Sequence, residues 1–226
     1  MVPFAKGQFI ALCDGDDYWL DPGKLARQVQ SLRNRPEYVV SFHDAVVVQE
    51  GRVTETSRLG PRGRRSADSR VLRRGKFLPK SSVLFRNSYD WGIPPRRFIP
   101  NGDVFLFKCL SRFGGAYFEE SVGPFAYRLH ESSSWSSLHP SERQLRAVES
   151  RLAMAQFFWM QGDRDLAIAS VRSAVLMIET MFLANGEDLR FRAAGWSLWS
   201  KATSLLRRSI TALMPALPSV IRDEIQ

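Results

Sequence analysis

A run of five apolar residues that stops abruptly in three carboxylates constrains this chain more than any other feature. Phe9-Ile10-Ala11-Leu12-Cys13 is followed without a spacer by Asp14-Gly15-Asp16-Asp17. A short run that is apolar on both faces is the pattern of a buried parallel strand. The carboxyl ends of such strands are where open α/β sheets bind ligands. Three carboxylates crowded at that point repel one another and lose hydration, which costs free energy unless a cation or strong donors neutralise them. Hard oxygen ligands at this density suit Mg²⁺ or Mn²⁺, and Gly15 lets the backbone turn tightly among them. Two other carboxylate motifs fail on spacing. An EF-hand counted from Asp14 needs an oxygen ligand where Tyr18 stands and a glutamate where Leu25 stands. A phosphatase with an aspartyl nucleophile would follow Asp-x-Asp with Gly and then Thr or Val, but Asp17-Tyr18 follows here. An acidic turn that merely caps the next helix accounts for Asp21 and leaves Asp14 and Asp16 unexplained.

The pattern changes near residues 137–138. Before that point the chain reads as short strands, Gly/Pro turns and single helices; after it, only helical periodicities remain. Asp21-Pro22 reads as N-cap and first helical position. Leu25, Val29 and Leu32 would then face inward, until Asn34-Arg35-Pro36 stops the helix. Tyr38 to Val48 is predicted as a second strand and Ser81 to Arg86 as a third. Gly102-Asp103 opens a helix with Val104, Phe107 and Leu110 inward, ended by Gly114-Gly115. Ala116 to Phe118 and Val122 to Leu129 read as strands. In 138–226, Ser141 and Gln144 form a capping-box pattern. One helix follows through Leu145, Val148, Leu152, Ala155 and Trp159, and a second through Leu166, Val171, Val175, Ile178 and Phe182. A third is predicted over 187–208, giving a small bundle.

Composition narrows the class. With 226 residues, 44% hydrophobic and 24% charged, the chain is not a disordered protein. Two cysteines, Cys13 and Cys109, make no disulfide scaffold, and both lie in apolar runs that predict reduced, buried thiols. No apolar stretch reaches the roughly 18–20 residues that span a bilayer, and no signal peptide is visible. These features predict a cytoplasmic protein. The net charge of +9, from 32 basic and 23 acidic residues, is concentrated. Arg58, Arg62, Arg64, Arg65, Arg70, Arg73, Arg74 and Lys76 are opposed only by Asp68, in a stretch rich in Gly, Ser and Pro. It predicts a mobile basic loop, which is either a solvated insertion or a segment closing over an anion such as a diphosphate or a lipid head group. Nucleic-acid binding would call for aromatic interleaving or a helix-turn-helix pattern. The stretch has neither, so no nucleic-acid partner is expected.

Five segments in order resemble family 2 glycosyltransferases of the GT-A fold. Lys6-Gly7-Gln8-Phe9-Ile10-Ala11-Leu12-Cys13-Asp14-Gly15-Asp16-Asp17 is similar to the family's "KGxYIAxLDxDD" segment, which ends in the Asp-x-Asp metal site. Asp21-Pro22-Gly23-Lys24-Leu25 resembles the helix start that follows it. Lys80-Ser81-Ser82-Val83-Leu84-Phe85-Arg86 resembles the "TSSVVFR" strand beside the acceptor cleft. Asn101-Gly102-Asp103 resembles the segment of the catalytic carboxylate, and Tyr127-Arg128-Leu129-His130 through Ser136 the "YRxHxxxxxS" segment that closes the site. The resemblance covers residues 6 to about 137. It implies a partial GT-A, Rossmann-like mixed sheet with flanking helices over 1–137, followed by an all-α region over 138–226.

The same resemblance implies metal-dependent, inverting transfer of a sugar from a nucleotide-diphosphate sugar to an acceptor hydroxyl on a glycan or lipid-linked acceptor. Asp14, Asp16 and His130 would hold Mg²⁺ or Mn²⁺, and the metal would neutralise the departing diphosphate. Asp14, Asp17, Arg128 and Trp135 would contact the donor. Ser82 and Arg86 would line the acceptor cleft, and Asp103 would deprotonate the acceptor. From the residues alone, Asp103 reads equally as a helix-dipole partner, and His43-Asp44 as a hydrogen-bonded pair at a strand end.

The family opens with a strand, helix and strand that bind the nucleotide base. This chain starts just before the metal-site strand, so the resemblance implies that this unit is missing; a mis-assigned or truncated start is favoured over a fragment that complements a partner chain. The strand at Phe9–Cys13 would then expose an apolar edge, which predicts poor solubility and weak activity for the chain alone. Family members often act on lipid-linked or envelope acceptors. The mildly amphipathic, basic stretch from Leu205 to Met214 is therefore a candidate for peripheral contact with the inner face of the membrane. Two other functions stand beside transfer. One is a non-catalytic basic adaptor or remnant with a helical interaction tail; the other is a phosphotransfer enzyme built on the acidic cluster.

Overall fold

The computed structural model describes residues 5–87, 99, 101–130 and 138–184. These divide into two compact units. The first comprises 5–87, 103–130 and 138; the second comprises 99, 101–102 and 139–184. The first is mixed α/β and the second helical. The expected third helix over 187–208, the stretch from Leu205 to Met214, and Trp135 lie outside the described residues. No helix among the described residues is long and apolar enough to cross a membrane.

The first unit holds two four-stranded mixed sheets. One runs in the order β1 (Phe9–Ala11), β6 (Leu84–Arg86), β3 (Tyr38–Phe42), β7 (Gly115–Phe118). The other runs β2 (Tyr18–Trp19), β8 (Phe125–Leu129), β4 (Ala45–Gln49), β5 (Arg52–Glu55). Each contains one parallel pair, β3 with β7 and β4 with β8, and its other pairs are antiparallel. The core of the first sheet is Val39, Val40, Phe42, Phe85 and Ala116.

Several elements differ from the sequence expectation, each for a local reason. The run Phe9–Cys13 is not a buried parallel strand. Only Phe9–Ala11 is strand; it is half-buried and pairs antiparallel with β6 at the sheet edge. Cys13, expected buried, is exposed, whereas Cys109 is buried. Tyr38–Val48 is two strands, because the chain leaves the first sheet at His43-Asp44 and enters the second as β4. Ser81 and Ser82 fold into a 3₁₀ turn over Lys80–Ser82 ahead of β6. Helix α1 (Lys24–Asn34) begins two residues later than its proline suggests. It buries Lys24, Gln28 and Leu32 and leaves Leu25 42% exposed. Its predicted cap, Asp21, accepts from Gly23 N at 2.8 Å and also from Gly123 N at 3.0 Å and Arg27 at 2.5 Å, pinning the helix start to the loop before β8.

The basic segment is not a mobile loop. It forms a single turn, α2 (Gly60–Gly63), and a short helix, α3 (Ser69–Arg74). Asp68 caps α3 by accepting from Val71 N at 2.8 Å, and Gly75 closes it at φ +103°, a conformation that favours glycine. Ala67 exchanges both backbone hydrogen bonds with Ala116, each at 2.8 Å. That approach requires Gly115, where a Cβ would meet Ala67 O at 2.2 Å. Leu72, fully buried, seats α3. Helix α4 (Gly102–Leu110) follows, with Phe105, Phe107, Cys109 and Leu110 buried.

In the second unit, α5 (Pro140–Met160) and α6 (Arg164–Ala184) pack through Val148, Leu152, Ala174, Ile178 and Met181. The cap of α5 is His139, which accepts from Ser141 N, with Pro140 in the first turn, in place of the expected Ser141/Gln144 box. On α6 the buried set is Leu166, Ala167, Ser170, Ala174, Ile178 and Met181, and Val175, expected inward, is 39% exposed. Small residues, Ala and Ser, occupy the contact stripe that the sequence pattern assigned to β-branched ones.

Candidate functional site

The turn after β1 carries all three carboxylates. Asp17 N donates to Asp14 O at 3.1 Å and closes it. The 3₁₀ turn Lys80–Ser82 braces one side. Ser81 Oγ accepts from Asp14 N at 3.0 Å and donates to Asp17 Oδ2 at 2.6 Å, while Lys80 Nζ donates to Asp14 Oδ1 at 2.5 Å. Trp19 Nε1 holds that brace by donating to Ser81 O at 2.8 Å. The end of β8 braces the other side. Arg128 N donates to Asp17 Oδ1 at 3.2 Å, the Arg128 guanidinium donates to Asp16 O, and His130 Nε2 lies 2.9 Å from Asp16 Oδ2. The repulsion expected of three adjacent carboxylates is thus met by a lysine, an arginine and a histidine drawn from two distant segments.

The three acids differ in what they can do. Asp17 is bonded on both oxygens, and burial pushes its carboxyl above the usual range, against the hydrogen bonds from Ser81 and Arg128. It holds the turn. Asp14 and Asp16 keep 40% of their side chains exposed. The hydrogen bond with His130 is the main cause that holds the Asp16 carboxyl below its ordinary value, so it is ionised at neutral pH. Burial, with the negative charge of Asp17 next, pushes the adjacent Cys13 thiol up.

A buried polar chain supports the brace from below. Lys24 Nζ sits 4.3 Å over the Trp19 ring and donates to Gln28 Oε1 at 2.7 Å; Gln28 Nε2 donates to Ser82 O at 2.9 Å. Burial pushes the Lys24 ammonium down to about 8. Next to it in the electrostatic sense lies His43, 1% exposed, its Nδ1 3.0 Å from Asp44 O and its ring edge-on to Phe125. Its Nε2 is buried with no partner among the described residues. Burial, and then the Lys24 charge, push this imidazole down to about 4 from 6.5. The unfolded chain therefore binds more protons than the folded one between those values, and stability rises with pH across that window. Lowering the pH from 6.5 to 4 is expected to cost up to about 1.4 kcal/mol per unit from this one group. Thermal melts across pH 4–6.5 should show that slope, and His43→Leu should flatten it; an unchanged slope would remove His43 as the cause.

The other sequence candidates fall in different places. Ser82 is fully buried and donates to Pro79 O at 2.6 Å, so its hydroxyl offers an acceptor nothing. Arg86 turns inward and donates to Leu32 O at 2.5 Å and to Tyr38 O at 3.2 Å, where it satisfies the end of α1 rather than lining a cleft. Asp103 sits in the first turn of α4, half-buried, with its Oδ1 accepting from Val104 N at 2.8 Å. Among the described residues it joins none of the hydrogen bonds that knit the carboxylate turn. Asp14, Asp16, Asp17, Arg128 and His130 are brought together. Sequence reasoning passed over Lys80, Ser81, Lys24 and Gln28 as site supports. The Lys80-Ser81-Ser82 polar run directly before Val83-Leu84-Phe85 was the available signal for the first two. Lys24 and Gln28 carry none, since a Lys/Gln pair at i, i+4 has the look of a solvent face.

What the fold and this turn define is an α/β protein with two half-exposed aspartates, Asp14 and Asp16, held by basic side chains at a sheet edge. Among known proteins, the chain is similar over 142 residues, at 32% identity, to uncharacterized proteins of Mycobacterium bovis and of two strains of Mycobacterium tuberculosis. The match takes in 62% of this chain, and the chain spans about 40% of the length of these relatives. No family model matches the chain.

Proposed function

We propose that this chain carries the metal-binding side of a metal-dependent glycosyltransferase of the family 2, GT-A kind. The observation that supports it is the Asp16–His130 contact, which joins residues 114 apart in sequence. The two segments that contribute them are the two that resemble, independently, the family's metal-site strand and its closing segment. A non-catalytic basic adaptor has no use for that convergence.

Among the described residues, no group of three or more His, Cys, Asp or Glu side chains is gathered to hold a metal. Mg²⁺ and Mn²⁺ bound with nucleotides typically use one or two carboxylates and take the remaining oxygens from phosphate and water. Asp16, with His130 against it, fits that sparse donor set, and Asp14, paired with Lys80 in the same turn, would be a further carboxylate for it. When bound, the metal would supply charge neutralisation at a departing diphosphate. Asp16, kept ionised, would bind it; His130 would orient Asp16 or join it as a ligand; Asp17 and Ser81 would fix the turn. Arg128, exposed on β8, would meet phosphate oxygens. Asp103 would take the proton of the acceptor hydroxyl, provided donor and acceptor bring that hydroxyl within hydrogen-bond reach of α4. The inverting stereochemistry, the nucleotide-sugar donor and a glycan or lipid-linked acceptor all rest on the resemblance.

The test is a screen of nucleotide sugars for Mn²⁺-dependent hydrolysis and for Mn²⁺-dependent binding of the matching nucleoside diphosphate. Metal-dependent binding and sugar release support the proposal. Release of inorganic phosphate without sugar release would favour phosphotransfer instead, and metal-independent or absent binding would overturn it.

A further inference from the structure

The basic segment between β5 and β6 has its own architecture, and half of its eight basic side chains serve no other group among the described residues. Arg64 is spent on Asp44, with Nε 2.7 Å from Oδ2. Arg58 lies between Glu55 and the Tyr127 ring. Lys76 donates to Gly63 O at 3.1 Å, tying the end of the segment to its start. Arg73 is half-buried on α3, which leaves Arg62, Arg65, Arg70 and Arg74, all exposed, and none of these four forms an ion pair among the described residues. Residues 58–76 hold eight basic side chains and one acid.

The segment is anchored at both ends. Asp44 collects Ser57, Arg58, Leu59 and Arg64 at one end. At the other, the Ala67–Ala116 bridge and Ser66 Oγ, which accepts from Phe118 N at 3.0 Å, fix it to β7. With Leu72 inward, helical geometry turns Arg70 and Arg74 to the opposite side of α3, with Val71 next to Arg74. Val71 is 42% exposed and Phe77, just past the helix, 56% exposed. Fixed arginines with apolar side chains left in water beside them make up an interfacial surface: the cations meet anionic head groups, and the apolar groups reach the acyl boundary.

We infer that α2, α3 and Phe77 form a docking surface for an anionic lipid bilayer. A free phosphate or diphosphate would account for the arginines but gives Val71 and Phe77 nothing to do. Single-stranded nucleic acid would want several stacking aromatics, and the segment shows one. The surface shares no residue with the carboxylate turn, and the inference uses none of the proposed activity, so the two are tested independently.

The experiment is flotation of the full chain with vesicles of phosphatidylcholine alone or with about a third phosphatidylglycerol. Binding is expected to the anionic vesicles only and to fall steeply as salt rises past the point where the screening length drops below about 10 Å. Arg70→Glu with Arg74→Glu, both exposed and unpaired, should weaken it at least tenfold. Val71→Ser with Phe77→Ser should reduce the part that persists in high salt. Equal binding to neutral vesicles, binding unchanged in the double glutamate variant, or no flotation while duplex DNA or pyrophosphate binds the segment would each overturn it. Circular dichroism and an unchanged melting temperature serve as checks that the variants fold.

Discussion

Asp16→Ala is expected to lower Mn²⁺-dependent turnover of a nucleotide sugar by about 10²–10³-fold while leaving the melting temperature nearly unchanged. The two halves of that expectation come from the same geometry. Asp16 is 40% exposed and its partner, His130, is itself 37% exposed. Exposed ion pairs of that kind contribute about 0–1 kcal/mol. The turn does not depend on this carboxylate either, because Asp17, Ser81 and the Arg128 backbone hold it. What the substitution does remove is the one carboxylate kept ionised by a facing imidazole. A large loss of rate without loss of fold would place Asp16 on the reaction. A large loss of both would make it a structural residue, and no loss of rate would sink the proposed metal site.

The second large effect is on stability. Asp44→Ala is expected to destabilise the first unit by about 3 kcal/mol and to open the segment around Arg58–Arg65 to trypsin. Asp44 is 7% exposed and is the acceptor for five groups. Oδ1 takes Ala45 N at 2.8 Å and Arg58 N and Leu59 N at 3.1 Å; Oδ2 takes Ser57 Oγ at 2.6 Å and Arg64 Nε at 2.7 Å. Removing the acceptor takes it from the backbone donors of Ala45 and Leu59, whereas Arg58 N keeps Ala45 O at 3.0 Å and Arg64, 47% exposed, can return to water. Burial alone would raise the Asp44 carboxyl, but the hydrogen bonds from Ser57, Ala45, Arg64 and Leu59 outweigh it and hold the group below the ordinary 3.8. Its contribution is therefore full above that value and is lost as pH falls below it. Asp44→Asn, which keeps the Oδ1 acceptor, should fall between wild type and alanine. Melts within about 1 °C of wild type for the alanine variant would refute the hub.

How much of this was legible beforehand depended on whether a residue's partners were near in sequence. The acidic turn was visible because its cost is local: three carboxylates beside an apolar run demand neutralisation whatever the fold. Arg128 and His130 came only through the family resemblance, since nothing within their own neighbourhood points at Asp16. The burial of Lys24 and Gln28 was hidden for the same reason; only tertiary contacts with Trp19 and Ser82 turn that polar face inward. The break of Tyr38–Val48 into two strands was hidden because β-propensity runs straight through His43-Asp44, and the bend is set by donors arriving from Ser57 to Arg64. The basic stretch was misjudged in mobility rather than in charge. Its Gly and Ser content suggested a free loop, but Gly115 allows Ala67 to pair with Ala116, and that contact anchors it.

The exposure of Cys13 has a practical side. The chain has two thiols, one open to solvent directly beside Asp14 and the other, Cys109, sealed at 2% exposure. The native protein thus already carries a single addressable attachment point one residue from the proposed ion position. A fluorophore or nitroxide coupled there, at a pH high enough to offset the raised thiol, would register the arrival of paramagnetic Mn²⁺ through quenching or relaxation. Occupancy could then be followed without knowing the sugar, the nucleotide or the acceptor.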